Sequence, residues 1–166
     1  MKQALAAITL AVVSSAAFAL APFELPQMNA QIPGTVYKTA DHPNSVFVLE
    51  AYFRRCPYCN YNAPNVDALA ESYVTESRVQ VLDVGIDRSN SDYSAWIAAH
   101  HPNHPVLKDA NRLVVSQLGT SGYPSTYVVD CLGHVLAQTT GQWGAEEEAA
   151  VRGAIETGLK TSCIVE

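Results

Sequence analysis

The stretch Cys56-Pro57-Tyr58-Cys59 governs the interpretation of this 166-residue chain. An apolar run at 46–53 comes before it and is typical of a strand buried on both faces. Residues 60–74 follow with a helical spacing of apolar side chains, interrupted at Pro64. The pattern therefore predicts that both cysteines lie at the first turn of a helix that follows a central strand.

Two cysteines in this setting suit thiol–disulfide exchange. The helix dipole and the free backbone N–H groups of the first turn stabilise a thiolate on Cys56. Cys59 is then close enough to resolve a mixed disulfide between Cys56 and a partner. A lone Cys-x-x-Cys also occurs as half of a zinc site or as a structural pair. The strand, the helix and an export signal upstream favour the redox interpretation.

The residues around the motif carry a family resemblance. Ala63-Pro64 stands where thioredoxins have the proline that kinks their active-site helix. Glu50 stands where thioredoxin and the DsbA oxidases have a buried acid, and 122–130 is similar to the segment with the superfamily's cis-proline. The segment 105–124 resembles the periplasmic TlpA-like branch and has no room for the large helical insertion of DsbA. The chain thus resembles a Dsb-type thiol:disulfide oxidoreductase of the thioredoxin superfamily over residues 35–160.

This resemblance implies a fold and a set of roles. The expected fold class is α/β, a thioredoxin-like fold with a central mixed sheet of four or five strands flanked by helices. Cys56 is the expected nucleophile, Cys59 the resolving cysteine, and Glu50 the buried group that exchanges a proton with Cys59. The residues expected to contact an extended protein substrate are Tyr123, Pro124, Pro57 and Tyr58, with a cis bond before Pro124. No cofactor is expected.

The N-terminus has the form of a secretory signal. Lys2 supplies the positive end, 4–13 is apolar, and Ala17-Phe18-Ala19 is a small-x-small cleavage site, although a cut after Ala21 fits as well. We therefore expect residues 1–19 to be a signal peptide and 20–166 to be one thioredoxin-like domain in the periplasm. The apolar run is too short to span a bilayer comfortably, which argues against a retained anchor.

Charge and cysteine use limit the partners. The formal net charge is −6 and there is no basic run, so nucleic-acid binding is not expected. Protein thiols and disulfides are the expected substrates, and the TlpA-like resemblance implies a membrane redox partner that resets the active site. All four cysteines lie beyond residue 19, and an exported protein with an even number can hold two disulfides.

The second pair, Cys131 and Cys163, is predicted to form a structural disulfide. A strand at 134–140 would lead away from Cys131 for roughly 23 Å at about 3.3 Å per residue. A helix at 145–160 would return roughly 24 Å at about 1.5 Å per residue, which brings Cys163 back towards Cys131. Two free thiols, or a second exchange pair that relays electrons to Cys56, remain the alternatives.

Three features of the sequence leave alternatives open. Arg54 and Arg55 before the motif are either a solvated basic pair or a source of thiolate stabilisation. Asp83 falls where thioredoxins have a lysine near the buried acid, unless the second strand, 79–87, is shifted in register. The histidines of segment 100–105 belong to a surface loop in our interpretation, because two prolines and the absence of a partner carboxylate argue against a metal site.

The direction of exchange is also open. The TlpA-like resemblance favours a reductase or isomerase, whereas Cys-Pro-Tyr-Cys after Val48-Leu49-Glu50 favours a disulfide-donating oxidase like DsbA. A metal-binding module or metallochaperone of related fold is the alternative from another class, but it would need a Cys-x-x-x-Cys with a distal histidine. A thiol peroxidase would need a threonine shortly before its cysteine, and 53–55 contains none.

Overall fold

A five-stranded mixed sheet lies at the centre of the chain, as seen in a computed structural model that describes residues 19–161 and 163. The described residues contain seven strands: β1 (Glu24–Pro26), β2 (Val36–Lys38), β3 (Val46–Tyr52), β4 (Val79–Gly85), β5 (Val106–Lys108), β6 (Ser125–Val129) and β7 (Val135–Thr140). The central sheet has the order β5-β4-β3-β6-β7, with β3 parallel to β4 and antiparallel to β6. The predicted α/β class and mixed sheet are confirmed. Apart from Ala19, the predicted signal peptide lies outside the described residues.

Strands β1 and β2 form a separate antiparallel ribbon, in which Leu25 lies opposite Tyr37. The prediction for residues 20–45 allowed for one edge strand and was therefore short by one. Each strand has only three residues, too few for an alternating pattern to stand out. The ribbon is held because the side chains of Leu25 and Tyr37 are both buried against the central sheet.

Four α-helices lie within the described part of the chain: α1 (Pro57–Ser72), α2 (Asn90–His100), α3 (Leu113–Gln117) and α4 (Ala145–Gly158). Helix α1 begins three residues before the predicted start, since Cys56 is its N-cap and Pro57 occupies its first turn. Pro64 lies inside the helix and does not end it. Among the described residues, no helix is both long enough and apolar enough to cross a membrane.

The side chains of β3 alternate between two apolar layers because successive residues of a strand point to opposite faces. Val46 and Val48 pack with α1 and α4 on one face of the sheet. Phe47 and Leu49 pack with α3 and the β1–β2 ribbon on the other. All seven residues of β3 are buried, as expected for a strand covered on both faces. The cysteine motif follows the C-terminal end of β3, so it is attached to the central strand of the sheet.

Candidate active site

Cys56 and Cys59 form a disulfide at the N-terminus of α1, with their Cα atoms 5.2 Å apart. Both are buried, with relative exposures of 3 % and 1 %. The backbone N–H of Cys59 donates to the Cys56 sulfur at 3.1 Å, so the sulfur occupies the position of a capping group. An N-cap position favours negative charge, because the first N–H groups of a helix have no partner within the helix.

The loop before β6 lies against the motif. The Tyr123 carbonyl oxygen is 3.7 Å from the Cys56 sulfur, and the Tyr123–Pro124 peptide bond is cis. The Tyr123 ring packs edge-on against Phe53 at a centroid distance of 5.6 Å. Tyr123 therefore borders Cys56 through both its backbone and its side chain.

The two arginines before the motif do not bind its sulfur directly. Arg54 donates its backbone N–H to Asp87 at 2.7 Å, and Arg55 is exposed. Within the described part of the chain, neither arginine side chain donates a hydrogen bond to Cys56. Any stabilisation of a Cys56 thiolate by these charges must therefore act through space.

Glu50 is a buried acid on β3, with a relative exposure of 2 %. It accepts a hydrogen bond from Asn62 Nδ2 at 2.8 Å and another from the Thr126 hydroxyl. Burial raises the pKa of Glu50 from 4.5 to about 7; these two hydrogen bonds oppose the shift, and the charge of Asp83 adds to it. Near neutral pH the carboxyl can therefore either take up or release a proton.

Asp83 lies in the direct register beside Glu50, since the two residues are partners in the parallel pairing of β3 with β4. The alternative of a shifted register is therefore wrong. Asp83 is 3 % exposed and accepts a hydrogen bond from Trp96 Nε1 at 2.8 Å. A carboxylate at this position disfavours ionisation of Glu50, and the charge of Asp83 adds to the rise in the pKa of Glu50 that burial causes.

The histidines of segment 100–105 do not all lie in a surface loop, which corrects the prediction. His104 is 7 % exposed; its Nε2 lies 3.1 Å from Asp83 Oδ1 and its Nδ1 lies 3.3 Å from Asp67 Oδ1. The prediction failed because both carboxylates are distant in sequence and reach His104 only in the folded chain. His100 is half-buried and its Nε2 lies 3.0 Å from Asn60 Oδ1.

The comparisons with known proteins agree with this geometry. A model of the AhpC/TSA family matches residues 18–138, well over half of the chain. The chain belongs to the AhpC/TSA family. No curated protein matches it.

Solved structures similar to this AhpC/TSA family member share its fold. A candidate thiol:disulfide interchange protein DsbE from Chlorobium tepidum has a TM-score of 0.72 and 23% identity, over 85% of this chain and 95% of that one. The exposed lipoprotein thioredoxin of Streptococcus pneumoniae has a TM-score of 0.69 and 22% identity, over 82% and 99%. A secreted disulfide oxidoreductase of Mycobacterium tuberculosis has a TM-score of 0.65 and 16% identity, over 81% and 95%. The predicted thioredoxin-superfamily fold is confirmed.

The predicted substrate-binding residues of this AhpC/TSA family chain surround Cys56. Pro57 is exposed, Tyr58 is 61% exposed, and Tyr123 and Pro124 border the cysteine from the loop before β6. One turn along α1 from Tyr58, the ring of Tyr61 is 63% exposed and lies edge-on to it at 6.5 Å. Two exposed tyrosines therefore flank a nearly buried sulfur, and the role of the four residues in substrate binding stays a prediction.

Sequence reasoning missed the residues that hold Glu50 in place. Asn62 Oδ1 accepts the Trp143 backbone N–H at 2.9 Å, and Trp143 Nε1 donates to the Thr126 hydroxyl at 2.9 Å. One signal was available, since Asn62 is three residues after Cys59 and so on the same face of α1. The pairing of Thr126 with Glu50 across β3 and β6 is visible only in the folded chain. The carboxyl is thus fixed by α1, by β6 and by the segment before α4.

A second disulfide joins Cys131 and Cys163, whose Cα atoms are 5.8 Å apart. Cys131 follows β6, at the end of the sheet opposite the cysteine motif, and Cys163 follows α4. Strand β7 and helix α4 form the out-and-back path that the sequence predicted. The bridge therefore closes the C-terminal segment onto the sheet far from Cys56.

Proposed function

We propose that this protein is an exported thiol:disulfide oxidoreductase that acts on protein substrates through Cys56 and Cys59. The observation that carries the proposal is the placement of Cys56: its sulfur caps α1 and receives the Cys59 N–H at 3.1 Å. A sulfur in this position is stabilised as a thiolate, and a second sulfur one turn away can resolve a mixed disulfide. Glu50 supplies a buried acid that accepts a hydrogen bond from Asn62, three residues beyond Cys59 on α1.

The first step uses the reduced protein. The Cys56 thiolate attacks one sulfur of a substrate disulfide; a bond forms between Cys56 and that sulfur while the substrate's own S–S bond breaks. The released substrate thiolate takes up a proton. The exposed ring of Tyr58 and the backbone of Tyr123 are placed to contact the substrate segment on either side of the attacked sulfur.

The second step resolves the mixed disulfide. Cys59 gives its proton to the Glu50 carboxylate, and its thiolate attacks the Cys56 sulfur. The Cys56–Cys59 bond forms, and the second substrate thiolate leaves and is protonated. Two electrons have then passed from the protein to the substrate. Of the two protons that the substrate thiolates take up, one comes from Cys59 through Glu50 and the other from solvent, and a dithiol partner must restore the reduced pair.

We assign the direction of exchange to the reductase or isomerase type. The Tyr123 carbonyl oxygen, 3.7 Å from the Cys56 sulfur, presents negative partial charge to a thiolate, and the arginine side chains make no hydrogen bond to it within the described residues. Both features limit stabilisation of the reduced form, and a less stable reduced form gives a more reducing pair. The Cys59 N–H donated to that sulfur favours the opposite direction, so a disulfide-donating oxidase is the second candidate.

Export and recycling complete the proposal. The segment 1–19 has the form of a secretory signal, and solved structures with the same fold include one described as secreted and one described as an exposed lipoprotein. Periplasmic disulfide chemistry needs a source of electrons, because that compartment is kept oxidising. We therefore include a membrane redox partner that reduces Cys56–Cys59.

Equilibration with glutathione tests the direction. We expect a potential more negative than about −200 mV and turnover in insulin reduction, whereas a value near −120 mV would assign the protein to the oxidases. Cys59→Ala should accumulate a mixed disulfide with substrate through Cys56, and the matched Cys56→Ala should not. If neither variant traps a substrate and insulin is not reduced, the proposed function is wrong.

A further inference from the structure

A histidine lies buried between two carboxylates beneath the cysteine motif. The side chain of His104 is 5% exposed, and those of Asp83 and Asp67 are 4% and 26% exposed. Its two ring nitrogens lie 3.1 Å from Asp83 Oδ1 and 3.3 Å from Asp67 Oδ1. Sequence analysis assigned this histidine to a surface loop, and the two steps proposed above do not use it.

The cluster joins four elements of the fold. Asp83 on β4 is the register partner of Glu50 on β3, and neighbouring strands lie about 4.8 Å apart. Asp67 lies on α1, the helix that begins with the cysteine motif. The titratable groups that face His104 or its carboxylates are Glu50 and Tyr52 on β3, Asp83 on β4, Asp67 on α1 and His100 on α2.

Through its contacts with Asp83 and Asp67, the charge of His104 can influence the ionisation of Glu50. Both nitrogen–oxygen distances are those of ion pairs. His104 Nδ1 also lies 3.1 Å from Asn103 Oδ1, and among the described residues Nε2 has no hydrogen bond of regular geometry. Charges at this depth interact more strongly than at the surface, because the surroundings screen them less. An imidazolium at His104 therefore offsets the negative charge that Asp83 presents to Glu50.

We propose that His104 is a positioning residue for thiol–disulfide exchange: its imidazolium balances Asp83 and so sets the pH at which Glu50 ionises. This inference rests on the proposed function, in which Glu50 receives the Cys59 proton. When the imidazolium loses its proton, Asp83 acts on Glu50 uncompensated and Glu50 holds its own proton more tightly. The acceptor for Cys59 is then less available.

The directions in which the pKa values of His104 and Glu50 are displaced agree with this role. Burial lowers the pKa of His104, but the charges of Asp83 and Asp67 more than offset burial, so the net pKa is raised. The charge of His104 in turn lowers the pKa of Glu50, opposing the effects of burial and of Asp83. The imidazolium and the Glu50 carboxylate therefore favour one another.

Carbon-13 NMR of the Glu50 carboxyl tests the inference without any substrate. The variants are His104→Gln, Asp83→Asn and the double variant, and His134→Gln is the control. We chose His134 because it also pairs with an aspartate, Asp130 at 3.2 Å, but lies at the opposite end of β6 with its side chain 46% exposed.

Opposite shifts are the signature of charge balance. His104→Gln should raise the Glu50 midpoint by about one pH unit, which is a tenfold change in its ionised-to-neutral ratio, and Asp83→Asn should lower it. The double variant should fall between the two, and His134→Gln should match the parent. Midpoints unchanged in His104→Gln, or shifted the same way by both single substitutions, would overturn the inference.

A measurement on the unsubstituted protein covers the case in which these variants fail to fold. Nitrogen-15 NMR of His104 should show both ring nitrogens protonated at pH 6.5, and a neutral ring at that pH overturns the proposal. The pH dependence of the rate of insulin reduction is the second readout. In His104→Gln, the acidic side of this pH profile should shift by the same number of pH units as the Glu50 midpoint. Midpoints that shift in a protein that reduces no insulin would refute the proposed function and leave the charge balance intact.

Discussion

Replacing Glu50 by Gln removes a buried ionisable group from the fold while keeping the shape of the side chain. In the native protein the carboxyl has a pKa of about 7, against 4.5 when unperturbed, and the leading cause is burial. Glu50 is 2% exposed, so solvent screening does little to reduce that effect. The glutamine amide can still accept one of the two hydrogen bonds that Asn62 and Thr126 donate.

The sign of the effect follows from the direction of the shift. Between pH 4.5 and pH 7 the folded protein holds a proton on Glu50 that the unfolded chain has released. Stability from this group is therefore complete below pH 4.5 and is lost as the pH rises through 7. A shift from 4.5 to about 7 corresponds to about 3 kcal/mol at 1.36 kcal/mol per pH unit.

Unfolding of the oxidised protein in guanidinium chloride at pH 4 and pH 8 measures this contribution of Glu50 to the free energy of unfolding. The parent should lose about 3 kcal/mol more than Glu50→Gln between these pH values, because the other titrating groups are common to both proteins. Glu146→Gln is the matched control, since Glu146 is exposed in the first turn of α4. A difference between the parent and Glu50→Gln that stays constant with pH would refute the assignment of the raised pKa to Glu50.

The same substitution should slow turnover with protein substrates while the fold stays intact. Glutamine cannot accept the Cys59 proton, so resolution of the mixed disulfide should be the step that slows, by 10²- to 10⁴-fold if Glu50 acts as a general base. Steady-state rates measured from pH 6 to pH 8 check this. Rates equal to those of the parent at every pH would mean that Glu50 only anchors Asn62 and Thr126.

Three further predictions concern the cysteines and one glycine. In the reduced protein, iodoacetamide at mildly acidic pH should label Cys56 much faster than Cys59, because Cys56 occupies the N-cap; equal labelling followed by mass spectrometry would contradict this. The bridge between Cys131 and Cys163 should survive mild reduction that opens the Cys56 pair, and its loss should cost about 3 to 4 kcal/mol for a sequence separation of 32. Labelling of all four cysteines at one rate would contradict a structural role. Gly85→Ala should destabilise the protein by about 1–3 kcal/mol in thermal unfolding, because the new Cβ would lie 2.6 Å from an aromatic ring atom; an unchanged midpoint would contradict that contact.

The main sheet could be predicted from the sequence because its strands carry strong local signals. Strand β3 is a continuous apolar run, and the cysteine motif directly after it fixes the start of α1 to within three residues. The alternation of β3 also fixes which side chains share a face, so the burial of Glu50 followed from its place between Val48 and Tyr52. The β1–β2 ribbon has no such signal, since its stability comes from packing against the sheet.

Those residues of the site that lie close to the cysteine motif in the sequence could be predicted. Cys56, Cys59 and Glu50 are close in sequence and belong to a recognisable pattern. His104 and Trp143 are remote from that pattern, and nothing in their immediate neighbours indicates that they lie beneath it. Their positions depend on the turn after α2 and on the segment before α4, which are set by tertiary packing.

Helix α1 joins the two halves of the candidate mechanism. Residues four apart on a helix lie on one face, so Cys59, Ala63 and Asp67 form a single stripe that descends from the motif towards the buried histidine. Asp67 lies 3.3 Å from His104 at the far end of that stripe, and Asn62 bonds Glu50 beside it. Breaking the Cys56–Cys59 bond acts at one end of the stripe, and protonation of His104 acts at the other. Helix α1 therefore connects the sulfur chemistry at one end of the stripe with the charge cluster at the other.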